Sequence, residues 1–149
     1  MTKKILVVAS AGGHWQQLMM IREAFTHHNV LYMTTKDGVA QQSGVSPFVI
    51  VPDCNRNQPI SVIQSFFSIS KEILKFKPHI IITTGAMPGF LALLCGYLIR
   101  SKTVWIDSFA NPEVMTMSGK YSKKIATLCL VQWEDLAKRE GVEYAGRVI

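Results

Sequence analysis

Ser10-Ala11-Gly12-Gly13-His14 follows directly on the apolar run Ile5-Leu6-Val7-Val8-Ala9 and leads into a helical pattern. Two adjacent glycines between a strand and a helix let the backbone turn tightly. They leave the first N–H groups of the helix open, a natural place for a phosphate or diphosphate. His14 stands at the helix start, where an imidazole acts as a general base or donates to a phosphate; an ordinary capping histidine fits the same position. A second glycine loop, Thr83-Thr84-Gly85-Ala86-Met87-Pro88-Gly89, follows another apolar strand and makes either a close approach to a ligand or a tight turn. Asp107-Ser108 ends a third strand, where the carboxylate orients a sugar hydroxyl, serves as a base, or caps a helix.

Several chemistries are excluded by spacing. Gly-x-Gly-x-x-Gly cannot be read across Ala11 to Gln16, and the second strand ends Met33-Thr34-Thr35-Lys36 without the carboxylate that holds a ribose. No Gly-Lys-Ser/Thr occurs, so P-loop chemistry is out, and a free-standing nucleotide-binding oxidoreductase is disfavoured. Cys54, Cys95 and Cys129 lack metal-ligand spacing and read as reduced, buried thiols; no metal and no cofactor is expected. The net charge of +6 is spread over small groups, Lys71/Lys75/Lys77, Arg100/Lys102 and Lys120/Lys123/Lys124. Without an arginine-rich run or an aromatic RNA-binding signature, this suits anionic lipid head groups or phosphorylated substrates rather than nucleic acid.

The elements that must position these residues are legible as unbroken apolar strands at Ile5–Ala9, Val30–Met33, Phe48–Val51, His79–Thr83, Thr103–Ile106 and Thr127–Val131. Unbroken rather than alternating hydrophobicity implies burial on both faces, as in a parallel sheet covered by helices. Helical patterns lie between: His14–His27 with Leu18, Ile21 and Phe25, a helix opened by Pro59 with an apolar face of Ile60, Ile63, Phe67 and Leu74, Pro88–Ile99, and Trp133–Glu140. The expected fold is therefore α/β, a Rossmann-like doubly wound parallel sheet, in one domain over residues 1–149. Ligands bind such sheets outside the carboxyl ends of the strands, where strand order reverses, which puts the loops after the first and fourth strands face to face. Asp53–Gln58 and Asp107–Lys120 read as the least regular stretches, and Trp15, Trp105 and Trp133 as core or interface. The apolar run Phe90–Ile99 spans 10 residues, about half of a membrane-crossing helix, and is either core or a partial insertion into a membrane surface. With no signal peptide in view, a cytoplasmic protein is expected.

"SAGGHWQQL", "TTGAMPGFLALL", "IDSFANPEVMTMSGK", "CLVQWEDLAKR" and the closing "YAGRVI" resemble, in order and across nearly the whole chain, the acceptor-side subunits of two-component glycosyltransferases. That group includes the membrane-anchoring subunit of the enzyme that adds the second N-acetylglucosamine to a dolichol-diphosphate-linked sugar, and bacterial counterparts in capsule and exopolysaccharide synthesis. The glycine loop is also similar to that of the single-chain peptidoglycan N-acetylglucosaminyltransferase. The resemblance implies the amino-terminal half of a GT-B enzyme, a donor-binding glycosyltransferase subunit as partner, a UDP-sugar donor and a polyprenyl-diphosphate-linked acceptor. It makes Ser10, Gly12, Gly13 and His14 the loop at the acceptor diphosphate and reaction centre, and Thr84, Gly85, Met87 and Pro88 the facing loop; His14 or Asp107 is the candidate base and Ser108 a further contact. Eukaryotic members begin with a transmembrane helix that is not seen here, so membrane contact is expected to be peripheral, on the inner face of the cell membrane. The competing expectation is a non-catalytic scaffold that recruits and activates its partner there.

Overall fold

All strands of the sheet but the last form where β-branched and aliphatic residues run together, and each of those leads through a connection into a helix. The computed structural model describes residues 1–148. The elements are β1 (Lys4–Val8), α1 (Gly13–Met20), β2 (Asn29–Thr34), α2 (Val39–Gln42), β3 (Phe48–Ile50), α3 (Pro59–Phe76), β4 (Ile80–Thr83), α4 (Ala86–Leu98), β5 (Lys102–Ile106), α5 (Met117–Ser122), β6 (Leu128–Val131), α6 (Glu134–Glu140) and β7 (Glu143–Tyr144). All seven strands are parallel, in the order β3-β2-β1-β4-β5-β6-β7. The order reverses between β1 and β4, as the doubly wound reading requires. β7, α2 and α5 were not legible, being two, four and six residues long.

The alternation of β1 shows why its sequence is apolar throughout. Leu6 and Val8 enter the core under α3 and α4, while Ile5, Val7 and Ala9 enter a second core with Trp15, Leu18 and Phe25. The expected helix from His14 to His27 breaks at Ile21, and Arg22–Phe25 continue as a tighter 3-10 turn. That turn sets the Phe25 ring against Tyr32, 6.4 Å between centroids. Helix α4 starts at Ala86, so Pro88 lies inside its first turn, where a missing N–H costs nothing.

The apolar face expected for α3 is not the one the core uses. Ile60 is 74% exposed and Phe67 68%, and Ile63 and Leu74 are exposed as well. The helix instead buries Ser65, Ile69 and Ile73, with Val62, Phe66 and Phe76 packed alongside. Two features decide between the stripes. Lys71 stands between Phe67 and Leu74 in the outer stripe, and the core would have to desolvate its charge. In the inner stripe the small Ser65 lets the helix sit close, and its hydroxyl donates to Pro52 O at 2.7 Å. The run Phe90–Ile99 is likewise mostly core: Leu91, Ala92, Leu93, Cys95 and Gly96 are buried, and only its end, from Tyr97, is exposed.

All three thiols are buried and free. Burial pushes each of them up, Cys129 to about 12, where Asp107 adds to the effect and Lys123 opposes it. A thiol raised in the folded state ionises first in the unfolded chain. Its contribution to stability is therefore complete below about pH 9 and is lost as pH rises toward 12. Native protein at pH 8 should resist thiol alkylation that goes to completion in denaturant, and urea titrations should show stability declining above pH 9, less so in Cys129→Ala.

Candidate functional site

The carboxyl ends of β1 and β4 are joined across the switch point by two reciprocal hydrogen bonds. Thr84 Oγ1 donates to His14 O, and His14 Nδ1 lies 3.0 Å from Thr84 O. A carbonyl oxygen has no proton to give, so Nδ1 is the donor and the imidazole's free lone pair is on Nε2. Gly12, with φ +98°, turns the chain into α1, and Ala11 N donates to Thr35 Oγ1 at 3.2 Å, which fixes the loop from β2. Gly85, with φ +136°, packs directly under the ring: a Cβ there would sit 2.5 Å from His14 Nδ1. Ala86 also adopts positive φ, +70°, a conformation costly for a residue with a Cβ, and it lies at the cleft.

His14 faces a cavity of about 330 Å³. Ala86 and Met87 line it from the second glycine loop, Cys54, Asn55 and Arg56 from the loop between β3 and α3, and Thr116, Met117 and Ser118 from the start of α5. Helices α1 and α4 begin at it, so two positive dipole ends face the same space. Arg56 is exposed and forms no ion pair among the described residues, leaving a planar fork suited to two phosphate oxygens.

Of the residues singled out in the sequence, His14 and Met87 line the cavity, and Gly12 and Gly13 lie exposed at the start of α1. Ser10, Thr84 and Pro88 are buried behind it. Ser108 is half-buried, and its Oγ accepts from Ala110 N at 3.2 Å. Asp107 is 1% exposed, and its carboxylate accepts from Trp105 Nε1 at 3.0 Å, Thr116 Oγ1 at 2.7 Å and Thr116 N at 3.1 Å. That carboxylate ties the loop after β5 to the start of α5 and does not line the cavity, so of the two candidate bases only His14 reaches it. Gln17 and Gln132 extend the same buried network: Gln17 Oε1 accepts from Phe109 N and from Gln132 Nε2, which also donates to Asp107 O.

Arg56 was missed as a site residue. Its neighbourhood Asn55-Arg56-Asn57 stood out only as irregular, because sequence does not tell which strand β3 pairs with, and hence where its loop goes.

The fold is a Rossmann-like doubly wound domain of the kind that forms the amino-terminal half of GT-B proteins. MurG of Acinetobacter baumannii superposes on 97% of the chain with a TM-score of 0.74 at 12% identity, the chain covering 44% of that protein. A UDP-N-acetylglucosamine 2-epimerase of Rickettsia bellii does so over 99%, TM-score 0.77 and 13% identity, with 46% of that protein covered. These likenesses establish the fold. Residues 51–148 match the family described as "Oligosaccharide biosynthesis protein Alg14 like", and the chain belongs to that family. Among its relatives, the UDP-N-acetylglucosamine transferase subunit alg14 of Schizosaccharomyces pombe is 37% identical over 79 residues, 48% of this chain and 37% of the relative. The corresponding subunit ALG14 of Yarrowia lipolytica is 23% identical over 177 aligned positions, 98% of this chain and 81% of the relative.

Two substitutions separate positioning from folding. Gly85→Ala should displace the imidazole from Thr84 O and lower any activity that depends on His14, with kcat rather than KM carrying the loss. Asp107→Asn should act on stability instead, by about 1–3 kcal/mol in urea unfolding, since an amide replaces one acceptor with a donor facing buried donors.

Proposed function

We propose that the chain is the acceptor-binding subunit of a two-component glycosyltransferase that moves a sugar from a UDP-sugar to a polyprenyl-diphosphate-linked acceptor. The relatives, which are subunits of UDP-N-acetylglucosamine transferases, favour N-acetylglucosamine as that sugar. Bacterial capsule or exopolysaccharide synthesis is the setting that the sequence resemblance suggests. The observation that carries the reading is His14, held in one tautomer by Thr84 and facing a cavity at the switch point. In the proposed step Nε2 takes the proton of the acceptor hydroxyl as its oxygen forms a bond to the anomeric carbon, and the bond from that carbon to the UDP oxygen breaks. Gly12, Gly13 and the starts of α1 and α4 attract the acceptor diphosphate, and Arg56 takes two of its oxygens. The donor-binding groups come from a second subunit, because a GT-B centre lies between two halves and this chain forms one of them.

Peripheral contact with the inner face of the membrane completes the proposal. Its support is the exposed face of α3, with Ile60, Ile63, Phe67 and Leu74 outward beside Lys71 and Lys75. No helix among the described residues is long and apolar enough to cross a bilayer.

The test is reconstitution with a donor-binding subunit. The chain alone should show no transfer, and the pair should show it. His14→Ala should lower turnover of the pair by roughly 10²- to 10⁴-fold while partner binding holds and stability changes by about 1 kcal/mol or less. Full activity in His14→Ala would reject the base and leave a scaffold that recruits the catalytic subunit.

A further inference from the structure

The end of the sheet opposite the cleft holds a cavity of about 520 Å³ at the amino ends of β4 and β5. Lys3, Lys77, His79, Arg100 and Lys102 line it, and no carboxylate does. None of the five makes an ion pair among the described residues. His79 Nδ1 accepts from Lys4 N at 2.9 Å, so its Nε2 is a donor even when the ring is neutral. Beside this cavity, between α3 and α4, lies a groove of about 170 Å³ with almost wholly apolar walls, Phe66, Ile73, Cys95 and Leu98 among them. The two cavities share Leu74 and Ile99.

Backbone conformation adds a second line of argument. α3 and α4 both give way to residues in the left-handed region, Lys77 at φ +55° and Arg100 at φ +64°. Glycine is the usual occupant of such positions because any Cβ there is crowded. Cations near helix carboxyl ends suit the dipole, but a cation in the last helical turn would do so without left-handed backbone. Lys77 and Arg100 carry that conformational cost at the two positions that flank one basic cavity, and neither side chain has an acidic partner.

We propose that the basic cavity and the adjoining apolar groove form one seat for an anionic phospholipid. The head-group phosphate sits among Lys77, Arg100 and Lys102, and the first part of an acyl chain lies along the groove past Leu74 and Ile99 toward Leu98. A free phosphate would use the cavity and leave the groove without a purpose. A second copy of this chain is disfavoured, because the face is uniformly positive. The head-group end of the seat is distinct from the acceptor site: α3, 18 residues and about 27 Å long, runs between Lys77 and the loop that carries Arg56. With the outer face of α3 between them, a lipid held here and an acceptor diphosphate held in the cleft fix both ends of the helix on one membrane plane. This inference rests on the membrane association proposed above and names the lipid class and the surface.

The test uses the isolated chain with dihexanoyl phosphatidylglycerol below its micelle concentration, followed by calorimetry and by NMR shifts at the seat. One saturable site is expected, with inorganic phosphate and dihexanoyl phosphatidylcholine each at least roughly tenfold weaker. Lys77→Gly with Arg100→Gly should weaken phosphatidylglycerol binding by about fivefold per charge, about 25-fold together. The same pair should keep or raise the melting temperature, because glycine relieves both left-handed positions. Leu98→Ser should weaken the lipid but not phosphate. Phosphate binding as tightly as phosphatidylglycerol would reduce the seat to an anion pocket, and equal binding of phosphatidylcholine would reduce it to an apolar groove. An unchanged double glycine variant would also overturn the proposal. No transfer activity is needed for this measurement. Lipid binding without transfer in the reconstituted pair would leave the seat and sink the glycosyltransferase reading, and transfer without lipid binding would do the reverse.

Discussion

The two hydrogen bonds between His14 and Thr84 join residues 70 apart in sequence and fix the two loops at the sheet's switch point to each other. Each loop supplies a donor and an acceptor to the other, so neither can move without leaving a buried polar group of its neighbour unpaired. Thr84 is buried at 1% exposure, which makes that cost high. Gly85 is the condition for the arrangement, since only a residue without Cβ lets the ring come down onto the loop. The tautomer, the direction of the free nitrogen and the position of the cavity wall all follow from this pair.

Asp107 supplies the complementary constraint on the other side of β4. Its carboxylate collects three donors from Trp105 and Thr116 and so fixes a segment that otherwise lacks regular structure up to Met117. That segment brings Thr116, Met117 and Ser118 to the wall opposite His14. One polar residue, at the start of α1, thus faces the cleft, and another, directly after β5, builds it. Gln17 connects the two, reaching from the helix that carries His14 to the loop that Asp107 anchors.

The outer surface divides by the same physics. α3 has two apolar stripes and the sheet accepts only one, the stripe that contains a small serine and no lysine. The rejected stripe stays on the surface with lysines beside it and leads from the cleft to the basic end of the sheet.

The sequence by itself determined the parallel sheet, the positions of six of its strands, the two glycine loops and the placing of His14 at a helix start. These are local properties: runs of β-branched residues, glycines at turns and the spacing of apolar positions are visible in a window of a few residues. It also carried the family resemblance in its motifs. Which of two apolar stripes on α3 is buried, which of His14 and Asp107 meets solvent, and that Arg56 belongs to the cleft were decided only by tertiary structure. Each depends on a neighbour distant in the chain: Pro52 accepting from Ser65, Thr116 and Trp105 closing over Asp107, β2 carrying β3 and its loop to the edge of the cavity. A pattern in sequence reports that a side chain has the chemistry for a role, and the packing of remote segments selects which of the available roles it takes.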